Sequence, residues 1–552
     1  MKIKQLFPTF TAALAYLKKY AFDDFISGKI MFPFMLTVYP VLFLYAKNLD
    51  VVSYYELIGP VLWVLAFTYA LISVVNMVIH DIVKASAGSS LLLLIFFSYG
   101  HIYDTLKFYR FWGSAISHGT LLLLMACLYL AVMFVVFTRK KAMEYLNRYL
   151  RVFTLLLYAM TAVDLARAVV SDIRESLTII NNGPAIAAGR AYGREGAGYY
   201  PDIYYIITDS YSSGNSLKMF YGFDNSDIIT WLKNQGFVLP EKTRPNYGQT
   251  ALSLPSSLNM GYINDVMDTS GLKDSPDMSP LKRLMAHSAL VRFLKSRGYT
   301  VVKFIFGYTI TDAFVADITV QPEGGFFLHE FTNHLANTTI LICFRNFVES
   351  VGLMGASARR VMTMLEGLPI TATKINSPKF VFAHILCPHP PFIFDKNGPT
   401  GKYVNADISR NKLRNETEKL EYKKGYLGQI EFLNKQLKKT LYKIIHNSKR
   451  PPVIIVQADH GSGMSYYEEI SKTNIYDRFS ILNAYYLPYG GNKIIYDGIS
   501  PVNSFREVLN YYFGTKLERL PDRSYFNINA RPYQYTDITD KLGAGTAENN
   551  PR

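Results

Sequence analysis

The sequence predicts a chain in two parts: a multi-pass α-helical membrane domain, then an α/β domain with a mainly parallel sheet sandwiched between helices. Two observations predict this. Nearly uncharged apolar stretches crowd the first 170 residues, and after residue 200 short β-branched runs alternate with more polar helical segments. Strands buried on both faces are typically continuous apolar runs, and their alternation with helices is typical of a parallel sheet.

Five apolar stretches have about the length, roughly 20 residues, that crosses a hydrocarbon core. They lie at 30–46, 57–79, about 85–103, 111–137 and about 152–170, which makes 30–170 the predicted membrane domain. Asp164 and Arg167 interrupt the last stretch; one helical turn apart, they could pair inside a bundle or lie at the membrane interface. Residues 1–29 hold apolar and basic positions without a cleavage-site pattern, so we predict an interfacial segment.

Loop charge predicts the orientation. With five spans, the loop that holds Arg139, Lys140 and Lys141 shares a side with the amino end, and this basic side should be cytoplasmic. An odd number of spans then places the rest of the chain outside the cytoplasm, anchored in the cytoplasmic (inner) membrane. Part of the formal net charge of +15 is therefore explained by basic residues that set the orientation in the membrane. The sequence has no basic stripe interleaved with aromatic residues, so no nucleic-acid partner is predicted.

The remaining chain divides into a linker, a folded domain and a tail. Residues 171–200 are rich in Gly, Ala and Asn and predict a linker; 201–541 form the α/β domain, and 542–552 a flexible tail. Predicted strands lie at 203–208, 300–305, 380–386, 453–458 and 479–487, and predicted helices at 224–235, 290–296 and 415–446. No CxxC is present, so isolated thiols are expected, with a Cys343–Cys387 disulfide as the alternative.

Two of the apolar strands run directly into a carboxylate. One ends at Asp209, and the other ends at Asp459, which His460 and Gly461 follow. Because α/β sheets place ligand groups at the carboxyl ends of their strands, these three polar side chains predict a metal site. The alternative is that each aspartate only caps the following turn or helix.

Between these strands lies a segment rich in hydroxyl groups, Asn246 to Met260. Pro255 indicates a helix start here, and a hydroxyl near a helix N-terminus lies where orphan amides and the helix dipole favour a bound phosphate. By chemistry alone Thr250, Ser253, Ser256 and Ser257 are all candidate nucleophiles, and ordinary helix capping is the alternative.

A third segment carries two histidines, His384 and His389, five apart at the end of a predicted strand that enters a proline-rich turn. A single histidine in such a place is usually structural. Two that straddle a strand exit are better candidates for a site, whereas the other histidines of the domain lack a comparable setting.

These motifs together resemble the alkaline phosphatase superfamily in its sulfatase-like branch. The nearest resemblance is to membrane-anchored phosphoethanolamine transferases and lipoteichoic acid synthases, which carry five spans followed by an extracytoplasmic catalytic domain. The run Thr250-Ala-Leu-Ser-Leu-Pro255 is similar to their nucleophile segment, which selects Thr250. The resemblance implies an alkaline-phosphatase-like fold and one zinc or manganese ion on Asp209, Asp459, His460 and the Thr250 oxygen.

The same resemblance assigns His384 and His389 to the substrate phosphate as catalytic residues. Those transferases usually have another histidine after this motif, but no histidine follows His460 here. The resemblance therefore does not carry a second metal over to this chain, and Arg478 could supply a cation instead. Asn246 and Arg478 are the candidate substrate-binding residues. The formylglycine motif of true sulfatases, Cys-x-Pro-x-Arg, is absent at Cys387.

The sequence therefore predicts a metal-dependent phosphotransferase. It would move a phospholipid head group, of phosphoethanolamine or phosphoglycerol type, onto an envelope glycan or glycolipid through a phosphothreonine. Two alternatives stay open: a phosphodiesterase or phosphatase of the same fold, in which water is the acceptor, and a non-catalytic envelope scaffold.

Overall fold

The structure, a computed structural model, describes residues 31–46, 55–109, 117–138, 152–163, 165–167, 200–321, 330–344, 354–404 and 416–543, with residues 149 and 170. The predicted interfacial segment 1–29, nearly all of the linker and the tail from 544 lie outside these ranges, as does Asp164. The chain forms two units: Met1–Val170 with Phe326–Val348, and Ser171–Gly325 with Glu349–Arg552.

The first unit contains apolar helices. They are α1 (Met31–Ala46), α2 (Tyr55–Ile79), α3 (Ile82–Tyr109) and α4 (His118–Thr138). Within the described residues, two stretches are long and apolar enough to cross a membrane: Leu57–Ile79, of mean hydropathy 2.1, and Ile82–Tyr103, of mean hydropathy 1.6. The apolar parts of α1 and α4 are shorter, so the count of five spans stays a prediction.

Residues 152–163 are also helical and pack on α1. The Tyr158 hydroxyl donates to Met35 O at 2.8 Å, and its ring lies 5.8 Å from that of Tyr39. The fifth predicted span is thus a helix in contact with the first.

The second unit is built on a six-stranded sheet. Its spatial order is β3-β2-β4-β1-β7-β8, parallel except for β8, which runs antiparallel to β7. The strands are β1 (Ile203–Thr208), β2 (Thr300–Phe304), β3 (Ile318–Val320), β4 (Lys379–Ile385), β7 (Val453–Gln457) and β8 (Asn483–Tyr486). Two small antiparallel pairs are formed by β5 (Phe392–Asp395) with β6 (Gly398–Val404) and by β9 (Tyr525–Ile528) with β10 (Arg531–Asp537). The predicted mainly parallel sheet is confirmed.

Helices cover both faces of this sheet. In chain order they continue as α5 (Gly214–Tyr221), α6 (Ser226–Asn234), α7 (Thr250–Asn259), α8 (Ile263–Val266), α9 (Ser279–Ala286), α10 (Ala289–Ser296), α11 (Thr309–Asp312), α12 (Glu330–Thr338), α13 (Met354–Lys374), α14 (Glu416–Asn447), α15 (Ile475–Arg478), α16 (Pro501–Phe513) and α17 (Thr539–Gly543). Of these, α12 belongs to the first unit.

Alternate residues of β1 enter two separate cores. Tyr204 and Ile206 pack with α5, α6, α13 and α14, whereas Tyr205 and Ile207 pack with α7, α9, α10 and α16. A strand buried on both faces needs apolar side chains at every position, which explains the continuous run that predicted it.

The main difference from the predicted elements is at the sheet edge, where the strand expected at 479–487 is confined to β8. The short helix α15 and a turn precede it, because Asn474 caps α15 by accepting the Asp477 N–H at 3.2 Å. All three cysteines are free thiols, as expected.

Candidate active site

Three neighbouring strands bring polar side chains to one edge of the sheet. In the parallel register, Ile207 of β1 lies between His384 of β4 and Gln457 of β7. Asp209 follows Ile207 by two residues, and Asp459 follows Gln457 by two. Ligand atoms of Asp209, His384 and Asp459 all lie within 4.8 Å of one another, and all three side chains are buried. The carboxyl ends of the strands are therefore where the candidate ligands meet.

Asp459 is held on both carboxylate oxygens. Its Oδ1 accepts the backbone N–H groups of Ser210 and His460 at 3.1 and 3.0 Å, and its Oδ2 accepts the Thr250 hydroxyl at 2.5 Å. Thr250 is the first residue of α7, and the preceding Gln249 makes no side-chain capping hydrogen bond. The Thr250 oxygen therefore lies where Asp459 can accept its proton and where a helix N-terminus favours negative charge.

The hydroxyls that the sequence left open beside Thr250 are engaged elsewhere. Each donates to a backbone carbonyl, at oxygen-to-oxygen distances of 2.8, 2.7 and 2.8 Å for Ser253, Ser256 and Ser257. Of the four candidate nucleophiles, Thr250 is the one whose hydroxyl donates to a carboxylate of the cluster.

His460 presents an unprotonated nitrogen to this cluster. Its Nδ1 lies 3.0 Å from Gly461 O, and because a carbonyl only accepts, Nδ1 carries the hydrogen of the neutral ring. Its Nε2 lies 3.2 Å from the Thr250 oxygen, 3.4 Å from Asp459 Oδ2 and 3.8 Å from Asp209 Oδ1. Burial lowers the pKa of His460 to about 4, so the ring is neutral at neutral pH.

His384 is oriented in the same way by a residue that sequence reasoning missed. Its Nδ1 lies 3.2 Å from the Thr311 hydroxyl oxygen, and that hydroxyl donates its hydrogen to Tyr308 O at 2.9 Å. The Thr311 oxygen must then accept from Nδ1, which leaves Nε2 as the lone-pair atom, 3.2 Å from Asp209 Oδ2. No pattern around Thr311 marks it in the sequence, since it reaches His384 only through the fold.

Two imidazole lone pairs therefore point at carboxylate oxygens that have no hydrogen to offer. Acceptors that face one another repel, and a cation between them would remove that repulsion. Two carboxylates, two imidazoles and a hydroxyl are ligands that both zinc and manganese accept. The side chains present fit a divalent metal. The sequence predicted Asp209, Asp459, His460 and Thr250 as its ligands; the structure brings these together and adds His384 at ligand distance.

The backbone after β1 is strained where it delivers Asp209. Ser210 has φ +65°, a left-handed conformation that costs a non-glycine residue roughly 1–2 kcal/mol, and its hydroxyl donates to Asp209 Oδ1 at 3.0 Å. Burial alone would raise the pKa of the Asp209 carboxyl, but the charge of His389 holds that pKa well below its usual range. Asp209 is therefore an anion beside the neutral rings of His384 and His460.

Arg478, a predicted substrate-binding cation, is 6% exposed and lies against the same loops. Its Nε donates to Gly248 O at 2.7 Å and its Nη1 to Gly461 O at 3.0 Å, while its Cζ lies 4.3 Å from the ring centroid of Tyr466. In the part of the chain that the structure describes, no carboxylate forms an ion pair with it. The guanidinium thus joins the Thr250 segment to the His460 segment and places a positive charge beside them.

The other two predicted residues are placed differently. His389 is half-buried in its turn with Nδ1 against Pro390 O; it acts on Asp209 through charge, and within the described chain its ring makes no hydrogen bond to the cluster. Asn246 is buried away from the cluster, accepting the Val502 N–H at 2.9 Å and donating to Ser500 Oγ at 3.0 Å. Because both ends of its amide hold the start of α16, the structure does not bring Asn246 to Thr250.

A buried carboxylate that no motif indicated ties the site loops together. Asp477 accepts the hydroxyls of Ser212, Ser216 and Tyr221 at 3.1, 2.7 and 2.6 Å. Ser212 Oγ also accepts the N–H of Ser462, the residue after Gly461, at 3.0 Å. Burial raises the pKa of Asp477 to about 6, which is the electrostatic cost of placing it there.

A neutral polar group also lies beside Thr250. Gln249 Nε2 donates to the Tyr466 hydroxyl at 2.9 Å, and that hydroxyl donates to Asn527 O. The Gln249 and Asn527 side-chain oxygens are buried and accept no hydrogen bond from the described residues. Sequence reasoning missed all three residues because they converge from separate segments.

No protein-family model matches the chain, and no curated protein matches its sequence. Solved structures with a similar fold include phosphoethanolamine transferases, sulfatases and a phosphonate monoester hydrolase, all of them enzymes. They share the sulfatase-like fold of the alkaline phosphatase superfamily that the motifs resemble.

Three of these structures are similar over much of the chain. The periplasmic domain of phosphoethanolamine transferase EptC from Escherichia coli, in complex with zinc, is 12% identical, with a TM-score of 0.42 over 66% of this chain and 100% of its own. Integral membrane phosphoethanolamine transferase EptA from Neisseria meningitidis is 12% identical, with a TM-score of 0.37 over 87% and 95%. Phosphonate monoester hydrolase of Agrobacterium radiobacter is 14% identical, with a TM-score of 0.38 over 59% and 80%.

Proposed function

We propose that the protein is a metal-dependent phosphotransferase that moves a phospholipid head group onto an envelope glycan or glycolipid through a phosphothreonine at Thr250. One observation carries the proposal: the Thr250 hydroxyl, at the N-terminus of α7, donates to Asp459 at 2.5 Å and lies 3.2 Å from the unprotonated Nε2 of His460. Nucleophile, proton acceptor and cation ligands thus coincide in a buried site.

The side chains that would hold the cation are Asp209, Asp459, His460 and the Thr250 oxygen, with His384 as the further ligand. A bound zinc or manganese ion would supply positive charge that lowers the pKa of a nearby hydroxyl and offsets charge on phosphoryl oxygens. Its identity and number are left to metal analysis, since imidazole and carboxylate ligands serve both metals.

In the first half of the reaction the Thr250 oxygen forms a bond to the donor phosphorus. The bond from phosphorus to the diacylglycerol oxygen breaks, and Asp459 Oδ2 takes the hydroxyl proton that it already accepts in the structure. Amide groups at the N-terminus of α7 and the Arg478 guanidinium offset charge on the phosphoryl oxygens. His389, at the edge of the cluster, gives the departing oxygen its proton.

In the second half a hydroxyl of the acceptor forms a bond to the same phosphorus, and the bond from phosphorus to Thr250 breaks. His389, now unprotonated, accepts the proton of the incoming hydroxyl, and the proton on Asp459 returns to Thr250. The enzyme is restored, with the head-group phosphate on the acceptor.

The first unit favours transfer from a lipid over simple hydrolysis. Its helices include two that are long and apolar enough to span a bilayer, which would place the enzyme in the inner membrane with its donor. The loop charges predict that the α/β unit lies outside the cytoplasm, where a glycan acceptor is found. A hydrolase of water-soluble esters needs no such helices.

The test is intact-mass analysis of the purified full-length protein in detergent. The protein is incubated with phosphatidylethanolamine or phosphatidylglycerol and with zinc or manganese, and compared with Thr250→Ala. A mass gain on Thr250 that requires the metal, and that is absent from Thr250→Ala, is expected, and its size identifies the head group.

A matched variant, Thr250→Ser, keeps a hydroxyl at the same position and should still form the adduct. Release of head-group phosphate to water at the same rate with and without a glycan acceptor would instead make the protein a hydrolase. A folded protein that binds neither metal nor phosphate would be a scaffold.

A further inference from the structure

A segment of the chain after β3 leaves the α/β unit and folds with the apolar helices. Residues Phe326–Val348 belong to the first unit, although they lie between β3 and α13 in sequence. In this segment the structure describes α12 and a 3₁₀ turn, Ile340–Phe344. The sequence did not predict this excursion, because polar residues such as Glu330, Asn333 and Asn337 interrupt 326–348 and it does not have the pattern of a span.

The packing of α12 on the apolar helices is specific. Phe331 and Leu335, one helical turn apart on α12, are 3% and 7% exposed, and the Phe331 ring meets that of Tyr45 edge-on at 6.5 Å. They form one apolar cluster with residues from three helices, namely Val41 of α1, Val64 of α2, and Leu93 and Phe97 of α3. Two large apolar side chains of α12 are thus buried against the apolar helices.

The backbones also approach closely. A Cβ added at Gly100 of α3 would lie 2.4 Å from Asn337 O and 2.7 Å from Thr338 Cα, so only glycine permits the contact. In the following turn, Cys343 Sγ lies 3.5 Å from Nδ1 of His118, the first residue of α4. The segment therefore touches all four labelled helices of the unit.

These contacts extend from the middle of the helices, where Leu93 lies, toward one end. Val41 is near the end of α1, and Val64 lies about 14 Å along α2 from its start at 1.5 Å per residue. Gly100 lies in the second half of α3. Successive spans alternate in direction, so the end at which α1 finishes is also where α2 begins and α3 finishes.

The position of α12 bears on the number of spans. With five spans the chain after residue 170 emerges at the end where α1 finishes, which is where α12 packs. With four it would emerge at the other end, and Phe326–Val348 would have to pass the middle of the bilayer twice to reach Gly100 and His118. The packing therefore supports an odd number of spans independently of loop charge.

The segment is suited to lipid. No Asp, Glu, Lys or Arg occurs between Phe331 and Phe344. The hydroxyls of Thr338 and Thr339 donate to Leu335 O and Ala336 O at 2.7 and 2.8 Å, so these two are satisfied within the segment, whereas the buried Thr332 hydroxyl has no partner among the described residues. Leu341 is 37% exposed. Backbone and side-chain polar groups must be satisfied internally where no water is present.

We propose that Phe331–Phe344 is a second membrane attachment of the chain: α12 and the turn after it insert into the outer leaflet, with phospholipid acyl chains as the partner of Leu341. This inference goes beyond the proposed phosphotransferase activity and does not depend on it. The α/β unit is then held at the membrane by Phe326–Val348 as well as by the linker.

The test separates the two attachments. A site for a sequence-specific protease is placed in the linker at 193–198 of the full-length protein, the membranes are treated with the protease, and they are then washed with high salt and with urea below the unfolding range. The carboxyl-terminal fragment of the parent is expected to stay in the membrane pellet. Its appearance in the supernatant would overturn the proposal.

A second variant replaces 330–344 with a Gly-Ser segment of equal length in the same cleavable chain. Its fragment is expected in the supernatant after cleavage, while the uncleaved chain stays in the pellet. If this fragment also stays with the membrane, something other than Phe331–Phe344 holds it, and the proposal fails.

A measurement of depth does not depend on the folding of that variant. A fluorophore is attached at Leu341→Cys in a chain that also carries Cys127→Ser and Cys343→Ser. The matched control carries the label at Lys439→Cys, an exposed position of α14. Nitroxide-labelled lipid should quench the Leu341 label at least several-fold more than the control. Equal quenching of both, or stronger quenching of Leu341 by aqueous iodide, would contradict insertion.

Discussion

Asp209 and Asp459 occupy equivalent places on neighbouring strands, yet their surroundings differ. Asp459 is fixed by two backbone amides on one oxygen and receives the Thr250 hydroxyl on the other. Asp209 directly precedes the strained residue Ser210 and faces histidines, with Oδ2 at 3.2 Å from His384 Nε2. Under the proposed function, we infer a division of work: Asp459 would serve Thr250 as proton acceptor, and Asp209 would balance the charge of the cation and of His389.

Replacing Asp459 should have the largest effect. Asp459→Asn removes both a ligand oxygen and the acceptor of the Thr250 proton, so the rate of adduct formation should fall on the order of 10³-fold or more at any metal concentration. Asp209→Asn should lose affinity for the metal and recover much of its rate when metal is added. Adduct formation measured by intact mass across a metal titration distinguishes the two. Equal rescue of both variants would refute the division of work.

Thr311 tests the histidine side of the comparison. Thr311→Val removes the acceptor that keeps Nε2 of His384 unprotonated and aimed at Asp209, so metal affinity should fall about 10–100-fold while the fold is kept. Thr311→Ser restores the hydroxyl and should restore the affinity. Equilibrium dialysis with zinc measures both. An unchanged affinity in the valine variant would mean that His384 is not a ligand.

Arg478 tests whether its charge reaches the substrate. Arg478→Lys keeps a positive charge but loses the paired contacts with Gly248 and Gly461 and the stacking on Tyr466, so stability should fall by about 2 kcal/mol and the rate roughly 10-fold. Thermal melting and the KM for the phospholipid donor are measured together. A lower melting temperature with unchanged KM and rate would make Arg478 a purely structural link.

The smallest expected effect concerns pH. Burial raises the pKa of Asp477 to about 6, above the usual value of 3.8, so between pH 6 and 4 the folded protein binds a proton that the unfolded chain does not. This group therefore makes the parent more stable as pH falls from 7 to 5. Asp477→Asn should remove that contribution, which is roughly 2 °C in the difference between the melting temperatures at the two pH values.

Asp312 is a useful comparison for that measurement, because burial also raises its pKa to about 6. Asp312→Asn should change the pH dependence of the melting temperature in the same direction, although Asp312 does not contact the hydroxyls that Asp477 accepts. A pH dependence that is the same in the parent and in Asp477→Asn would show that Asp477 carries no proton in the folded state near pH 6.

Much of the fold follows from local patterns in the sequence. The continuous apolar runs of β1 and β7 predicted buried parallel strands, and their terminal carboxylates predicted the edge at which the site forms. The long polar helix predicted at 415–446 is α14. These predictions succeeded because periodicity and strand-end position are local properties of the chain.

The rest depends on long-range contacts. Thr311 and Asp477 act on the site through side chains from other segments, and no spacing rule connects them to His384 or to Ser212. Asn246 stands four residues before Thr250 but its amide holds α16, because neighbouring residues in a turn can face opposite directions. The excursion at Phe326–Val348 was missed for the same reason, since its partners lie more than 200 residues earlier.

Ser210 has a further consequence for how the protein could change. Its left-handed backbone is held by two groups from distant segments: Asp459 accepts its N–H, and the Tyr426 hydroxyl donates to its carbonyl at 2.7 Å. A glycine at this position would relax the strain but lose the hydroxyl that contacts Asp209. Selection for thermal stability alone would therefore favour replacing Ser210, while selection for a well-aligned carboxylate would keep it, so this position is where durability and turnover are in direct conflict.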